Sequence, residues 1–449
     1  MNSTFLERMR LYIPKEFDDF NQTLSNPMYQ GLRINPKKVR QNEFESKFPY
    51  LDSKTPFCKE GYYIHSNLGN HPYHICGMYY LQEPSASSAV EVLDIQEDDI
   101  VLDLCAAPGG KSSQIGTKLK NGYLVSNEID SKRAHILLSN MERMGIMNMA
   151  ITNSDSKKLC HAFPSCFNKI LVDAPCSGEG MMKKHSKASD EWSVENIQFC
   201  SKRQKEILED AYFALQKDGI LVYSTCTYAR EENEEVIASF LANHSDMELL
   251  LIENNFGRAG LPYRDFDYRK VKRIFPMDGG EGHFVCKMRK IEGEKKKLPS
   301  LKSSKLDKVS SAFLKEQLIE CPSHYFIQND SLYCMNHEFI DFKKIKVLRQ
   351  GLYCGKNIKN RFEPEHAFYL NADWIYNYKK KVNLSFDEME SFMHGLEIPK
   401  ETEKGYVAIC FEDVPFGFGK SDGKHIKNKI PKGLRLMEGS HLIGMEDVK

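Results

Sequence analysis

At 449 residues the chain is longer than one ordinary domain, so two or three are expected. Its 41% hydrophobic and 28% charged residues are those of a globular protein, and no apolar run approaches the length of a membrane-crossing helix. A net charge of zero excludes a uniformly basic nucleic-acid coat. Thirteen cysteines, an odd number with no Cys-x-x-Cys spacing, exclude a disulfide framework and a zinc ribbon, so no metal is expected. Charges in the opening MNSTFLERMRLYIPKEF stand where a signal peptide needs an apolar core, and a reducing cytoplasm is the expected location.

Residues 2–81 mix helical spacing with loops. They carry Arg33, Lys37, Lys38 and Arg40, candidates for contact with a nucleic-acid backbone or else ordinary surface charge. A helix-like segment, 83–93, leads into a strand over 100–104. Beyond it, apolar runs at 122–127, 150–152, 169–172 and 220–223 alternate with helical patterns at 133–144, 194–215 and 231–241. This alternation predicts an α/β fold with a Rossmann-like, doubly wound parallel sheet. Arg273-Ile274-Phe275-Pro276 and the run 282–288 read as two late strands that close the sheet antiparallel.

The stretch EGEKKKLPSLKSSKL is polar, basic and broken by Pro299, the pattern of a linker. After it come short alternating runs that predict small β-rich or α+β modules. The expected division is 1–80, 81–290, a basic linker 291–308, a small domain 309–390 and a final module 391–449. Residues 287–308 hold nine Lys/Arg against three acids, and 416–435 hold six against one. Either run is a candidate for phosphate contact, although a lone charge run is usually a solvated face.

The strand over 100–104 runs into Cys105-Ala106-Ala107-Pro108-Gly109-Gly110-Lys111, followed by a helix-compatible stretch. Small residues at a strand-to-helix turn let backbone approach a ligand, and the helix start offers free N–H groups. A P-loop needs glycine six residues before the lysine, where Cys105 stands, and there is no G-x-G-x-x-G. Glu128 ends the next strand, where a ribose diol is gripped, and Arg133 opens the helix after it. Asp155 and Asp173 end the two strands that follow. Carboxylates at successive strand ends suit an adenosyl ligand with hydroxyls, an amino group and a positive sulfonium. The plain alternative for each is a helix or strand cap.

Two further turns carry thiols. Asp173-Ala174-Pro175-Cys176 and Ser224-Thr225-Cys226-Thr227 each follow an apolar run of buried-strand type, which delivers two cysteines to the sheet's carboxyl edge. Two thiols at one edge suit covalent chemistry with a sulfur nucleophile and a second group beside it. Cys160, Cys166, Cys200 and Cys286 read as small buried hydrophobes or surface residues, and backbone geometry explains Cys105 adequately.

In order, LDLCAAPGGK, DAPCSGEG and STCTYAREENEEV resemble the motifs of the Sun-family (NSUN-type) RNA cytosine-5 methyltransferases, over residues 11–289. QEPSAS, FPMDGGEGHF and the carboxyl-terminal extension are most similar to the family's bacterial 16S rRNA branch. That branch ends in a PUA-like RNA-binding module, here GYVAICFEDVPFGFGKSDGKHIKNKIPKGLR. The resemblance implies S-adenosylmethionine as cofactor and an amino-terminal RNA-binding region. It also implies 16S rRNA as partner, presented on the 30S subunit. A monomeric enzyme with no role for a membrane is expected.

The chemistry gives the thiols their work. Carbon 5 of cytosine is a poor nucleophile until a thiolate adds at carbon 6; afterwards the carbon 5 proton must leave and the thiolate be expelled. In the family the Thr-Cys cysteine attacks and the Pro-Cys cysteine assists release, which makes Cys226 the nucleophile and Cys176 the release residue. DNA cytosine-5 methyltransferases attack with a Pro-Cys thiol, so the residues alone leave the roles exchangeable. A free thiol has a pKa near 8.5, so the nucleophile needs activation. Asp173 is placed to contact either base or cofactor. The competing readings are a tRNA or 23S rRNA enzyme, a non-catalytic ribosome-assembly protein, and a small-molecule or protein methyltransferase.

Overall fold

The computed structural model describes residues 2–183 and 192–444. The amino-terminal region folds around a three-stranded antiparallel sheet of β1 (Gln30–Ile34), β2 (Gly61–Ile64) and β3 (Tyr79–Gln82), with β1 in the middle.

The central sheet follows. Its parallel strands are β4 (Ile100–Asp103), β5 (Tyr123–Asn127), β6 (Met149–Thr152), β7 (Phe167–Asp173) and β8 (Leu215–Thr225). Covered by helices on both faces, these strands are apolar almost throughout, which is why they stand out in the sequence. After β9 (Met247–Leu250), β10 (Arg258–Ala259) and β11 (Lys272–Ile274) comes β12 (His283–Lys290), antiparallel to β8 and β11. The expected antiparallel closure by the 273–276 and 282–288 runs is present. Between β4 and β7 the strand order reverses, and at such a point ligands bind beyond the carboxyl ends.

The carboxyl-terminal half holds two small sheets. β13 (His324–Gln328) and β14 (Ser331–Met335) pair with each other, while β15 (Val347–Gln350) leaves to pair antiparallel with β6, as the far edge of the central sheet. β16 (Leu352–Ile358) and β17 (Arg361–Pro364) complete the first small sheet. The second is formed by β18 (Lys381–Asn383), β19 (Ile398–Pro399), β20 (Gly405–Phe411), β21 (Val414–Ser421) and β22 (His425–Asn428).

Several expectations need correction. The division at 390/391 cuts through the helix Phe386–Met393, and β18 already belongs to the last sheet by pairing with β20. Residues 291–308 are no free tether. Lys296 N–H donates to Ser165 O (2.8 Å), Leu301 N–H to Phe339 O (2.6 Å) and Ser304 N–H to Tyr325 O (2.7 Å), while Leu298, Leu301 and Leu306 pack on the core. The core itself ignores the expected boundaries. One apolar cluster runs from Leu102 through Phe240 and Cys334 to Phe418, and another joins Phe44 and Tyr73 to Phe411 and Phe416.

Much of the first basic run is spoken for. Lys290 is buried, donating to Tyr212 O at 3.0 Å, and Arg289, Lys295 and Lys296 pair with Glu248, Asp218 and Glu294. In the second run Lys420, Lys424, Lys427, Lys429 and Lys432 are exposed. Arg33 and Lys38 do not reach solvent either. Lys38 Nζ donates to Cys76 O (2.7 Å) and Arg143 O (2.9 Å) at two helix ends, and Lys37 pairs with Asp373 at 2.9 Å. Of the four, Arg40 alone is exposed.

Candidate active site

Asp173 and Ser224 are register partners on β7 and β8, so the turns after them emerge side by side. Cys176 Sγ and Cys226 Sγ lie 3.4 Å apart. The hydrogen bond to Cys226, and then burial, push the Cys176 thiol well above its ordinary value.

Below the pair lies a layer of two buried acids, Glu232 and Glu179. Glu232 accepts from Ser177 N–H (3.0 Å), Ser177 Oγ and Gln204 Nε2 (2.7 Å). Glu179 accepts from Trp192 Nε1 (2.8 Å), Thr227 Oγ1 (2.9 Å) and Tyr228 N–H (2.9 Å). Each thus ties the residues next to one cysteine to the rest of the fold. Burial pushes Glu232 up to about 7 and raises Glu179. Both acids fall within the motifs, in CSGEG and REENEE, but nothing in their spacing marks them as buried.

Facing the thiols are Lys111 and Asp173. Lys111 Nζ donates to Asp173 Oδ2 at 2.8 Å, and Ser224 Oγ to Asp173 Oδ1 at 2.7 Å. Burial would raise Asp173, but the Lys111 charge, His283 and these hydrogen bonds hold it below the ordinary carboxylate value. Burial opposes the Lys111 charge in turn, and Asp173 with Cys226 behind it sustains the ammonium. His283, the first residue of β12, sits 3.9 Å from Asp173 Oδ1, and burial pushes it down to about 4, with Lys111 acting the same way. It is neutral near pH 7.

The turn after β4 forms the other half of the site. Gly109, at φ +112°, takes a conformation glycine tolerates, and the helix Gly110–Lys118 starts directly after it. Ala106 N–H donates to Asn127 O (2.8 Å), joining the turn to the end of β5. Glu128 is only 3% exposed; its Oε1 accepts from Asp130 N–H (2.9 Å), while Oε2 lies 3.4 Å from Arg133 Nη1. Arg133 Nη2 donates to Ala107 O (2.8 Å), bridging the carboxylate to the turn. Burial raises the Cys105 thiol, leaving it a poor nucleophile. Asp155 is exposed and caps the helix Ser156–Ala162 through Lys158 N–H (2.8 Å).

Two residues at this turn were not foreseen in these roles. Asp103 is buried with Oδ2 accepting from Ser112 Oγ (2.7 Å) and Oδ1 unpartnered, and burial pushes it up to about 7. Arg33 reaches across from β1 to donate to Gly110 O (3.0 Å) and Ser113 Oγ (2.8 Å), so the amino-terminal sheet grips the start of this helix. A buried carboxylate at the β5 end, an unpartnered Asp103 oxygen and anionic Asp173 form a donor set that fits a diol-bearing cation.

Four family models match the chain in order. They are the N-terminal domain of 16S rRNA methyltransferase RsmF (residues 1–84), 16S rRNA methyltransferase RsmB/F (90–289), the RsmF rRNA methyltransferase first C-terminal domain (312–371) and the methyltransferase RsmF PUA domain (379–436). Ribosomal RNA small subunit methyltransferase F of Salmonella agona is 31% identical over 465 residues, spanning 96% of this chain and 95% of that protein. The chain belongs to this RsmF family. Its Vibrio vulnificus counterpart is 28% identical over 459 residues, with 96% and 97% covered. As a family member the protein is an S-adenosylmethionine-dependent RNA methyltransferase.

Among solved structures, a methyltransferase homolog protein from Pyrococcus horikoshii is 28% identical with a TM-score of 0.58, covering 65% of this chain and 95% of that one. NSun6 from the same organism, solved with SFG, is 21% identical at a TM-score of 0.57, over 65% and 99%, and shows the shared fold. Among the described residues no helix is long and apolar enough to cross a membrane, and no group of three metal-ligating side chains occurs.

Proposed function

We propose that this RsmF-family protein methylates carbon 5 of a cytosine in 16S rRNA through a covalent bond between Cys226 and carbon 6 of the ring. The observation that carries this reading is the 3.4 Å approach of Cys176 and Cys226 beside the Lys111–Asp173 pair. As its thiolate, Cys226 adds to carbon 6, and the 5,6 double-bond pair moves toward carbon 5. Bound S-adenosylmethionine supplies the electrophilic methyl group that this carbon takes up. Carbon 5 then loses its proton, the double bond re-forms, and the S–C6 bond breaks with its electron pair returning to Cys226. Cys176, still protonated, hands its proton to the departing sulfur and takes up the one leaving carbon 5, so no net charge moves. Asp173, anionic and fixed by Lys111 and Ser224, orients the base or the cofactor.

On the cofactor side, Glu128 would grip the ribose, with Arg133 holding the turn 105–111 in place. Asp155, already a helix cap, has its second oxygen to offer. The exposed lysines of the PUA domain would meet rRNA phosphates, which makes binding strongly salt-dependent. The protein would act as a monomer on the small subunit, in a reducing cytoplasm that keeps both thiols free. Bisulfite sequencing of total RNA from a deletion strain tests the reading. A 5-methylcytosine should vanish from 16S rRNA; loss only from tRNA or 23S rRNA would overturn the substrate assignment.

A further inference from the structure

A cleft of about 700 Å3 separates the amino-terminal sheet from the loop that leads into β12. Its walls include Met28, Tyr29, Gln30, Ser53, Tyr63 and Gly279. The two tyrosine rings lie 5.7 Å apart at 50°. Tyr29 OH donates to Pro276 O (3.1 Å) and Tyr63 OH to Gly279 O (2.7 Å), so both phenols are satisfied. Tyr29 remains 37% exposed, which leaves ring surface free. Its backbone N–H donates to buried Glu281 at 2.7 Å, and Glu281 pairs with Lys183 at 2.7 Å. The rings are therefore pinned to residues 276–281, not loosely displayed.

That loop runs straight to the thiols. A Cβ on Gly180 would lie 2.9 Å from Gly282 O and 3.1 Å from Cys226 O, so Gly282 packs beside the nucleophile's own backbone. The three Cα-to-Cα steps from Gly279 to Gly282 span at most about 11 Å. Among the described residues the cleft's lining contains no lysine or arginine, and its acid, Asp52, faces His65 at 3.2 Å. A nucleobase would find aromatic surface there, with the Gln30 amide and the Ser53 hydroxyl beside it.

We propose that the Tyr29–Tyr63 cleft stacks the unpaired nucleobase adjacent to the target cytosine. The inference rests on the RNA-methylation reading above. A cytosine turned out toward Cys226 leaves its neighbour without a stacking partner, and an aromatic platform close by replaces it whatever the base. The pinned rings lose little freedom when they bind.

The test pairs protein and RNA changes, using a 16S rRNA fragment centred on the cytosine mapped by bisulfite sequencing. Binding is read by fluorescence anisotropy with the intact fragment and with an abasic site on the 5′ or 3′ side. For the wild type, one of the two abasic positions should weaken binding by about five- to a hundred-fold. Tyr29→Ala should show the same loss with intact RNA and almost none on top of it with abasic RNA. Tyr29→Phe, which keeps the ring, should bind as the wild type does, and Tyr29→Leu, which keeps the bulk without the π face, should behave as Tyr29→Ala. Calorimetry with S-adenosylmethionine should give one affinity for all four proteins, which separates lost stacking from misfolding. Losses that simply add, or a wild type indifferent to both abasic sites, would overturn the cleft assignment alone. A wild type that methylates no cytosine in any RNA would overturn the underlying reading instead.

Discussion

Cys176 and Cys226 approach to 3.4 Å at the carboxyl edge of the central sheet, and Cys334 and Cys354 approach to 3.1 Å between β14 and β16. By distance alone the second pair is the closer. Its sulfurs, however, are fully buried among Leu332, Leu352, Phe368 and Tyr378, in one apolar cluster. Burial, then the shared hydrogen bond, raises the Cys334 thiol well above its ordinary value. Around the first pair stand Lys111, Asp173 and Glu232, and both sulfurs are only partly covered. Contact between two sulfurs is thus no mark of reactivity; access and nearby charge decide it.

The largest effect should come from removing Cys226, the proposed nucleophile. Cys226→Ala should abolish methylation and the adduct with RNA containing 5-fluorocytosine, while Cys354→Ala should methylate at the wild-type rate. Normal turnover by Cys226→Ala would remove the distinction between the pairs. Next, Cys176→Ala should leave an RNA–protein adduct that survives denaturing electrophoresis with natural substrate, because attack proceeds and release stalls. If that variant formed no adduct while Cys226→Ala did, the two roles would exchange.

Glu128→Ala sharpens the contrast from the cofactor side. Losing one charge-assisted hydrogen bond corresponds to about 1.5–3 kcal/mol, or roughly ten- to a hundred-fold in affinity. Calorimetry showing unchanged S-adenosylmethionine affinity would exclude this contact. The charge beneath the first pair should also appear in the pH dependence of stability. The folded pKa of Glu232, about 7, lies above its unfolded value of 4.5, so its stabilising contribution is complete below about 4.5 and is lost as pH rises through 7. Asp103, also near 7, acts in the same direction. Glu232→Gln cannot ionise and should lose on the order of 2 kcal/mol less between pH 5 and pH 8 in urea titrations. Parallel curves for variant and wild type would show that Glu232 is not the group responsible.

The edge that carries the candidate site was legible because β4, β5, β7 and the second half of β8 are largely buried and read as apolar runs. Once their ends are placed, Cys176, Cys226, Glu128 and Asp173 follow by position. What stayed hidden depends on partners distant in sequence. Val347–Gln350 is half-buried along its whole length, without alternation, and only its pairing with β6 makes it a strand of the central sheet. Arg33 lies between Leu32 and Ile34 in a strand buried at all three residues, yet its charge suggested solvent; its partners lie 77 and 80 residues away. The run 291–308 looked like a tether because its anchoring hydrogen bonds are made to distant backbone, which composition does not encode. The Cys334–Cys354 contact was equally invisible, since β14 and β16 flank a strand that belongs to another sheet.

The smallest effect should come from that hidden pair. Cys334 is fully buried beside Met335 and Leu332, with no ion pair to disturb, so Cys334→Ala removes one sulfur and leaves a small void. Substitutions of this kind cost roughly 1–2 kcal/mol, here from lost packing together with the weak hydrogen bond shared with Cys354. Urea denaturation should report that loss, and methylation under native conditions should be unchanged. The wild type allows a second comparison. Thiol alkylation of the folded wild type should modify Cys226 rapidly and Cys334 and Cys354 only after unfolding, so mass spectrometry of peptides at intermediate urea should show Cys226 labelled before either sulfur of the buried pair. If Cys334 were alkylated as fast as Cys226 in the native protein, or if its replacement cost activity without costing stability, burial would not be what separates the two pairs.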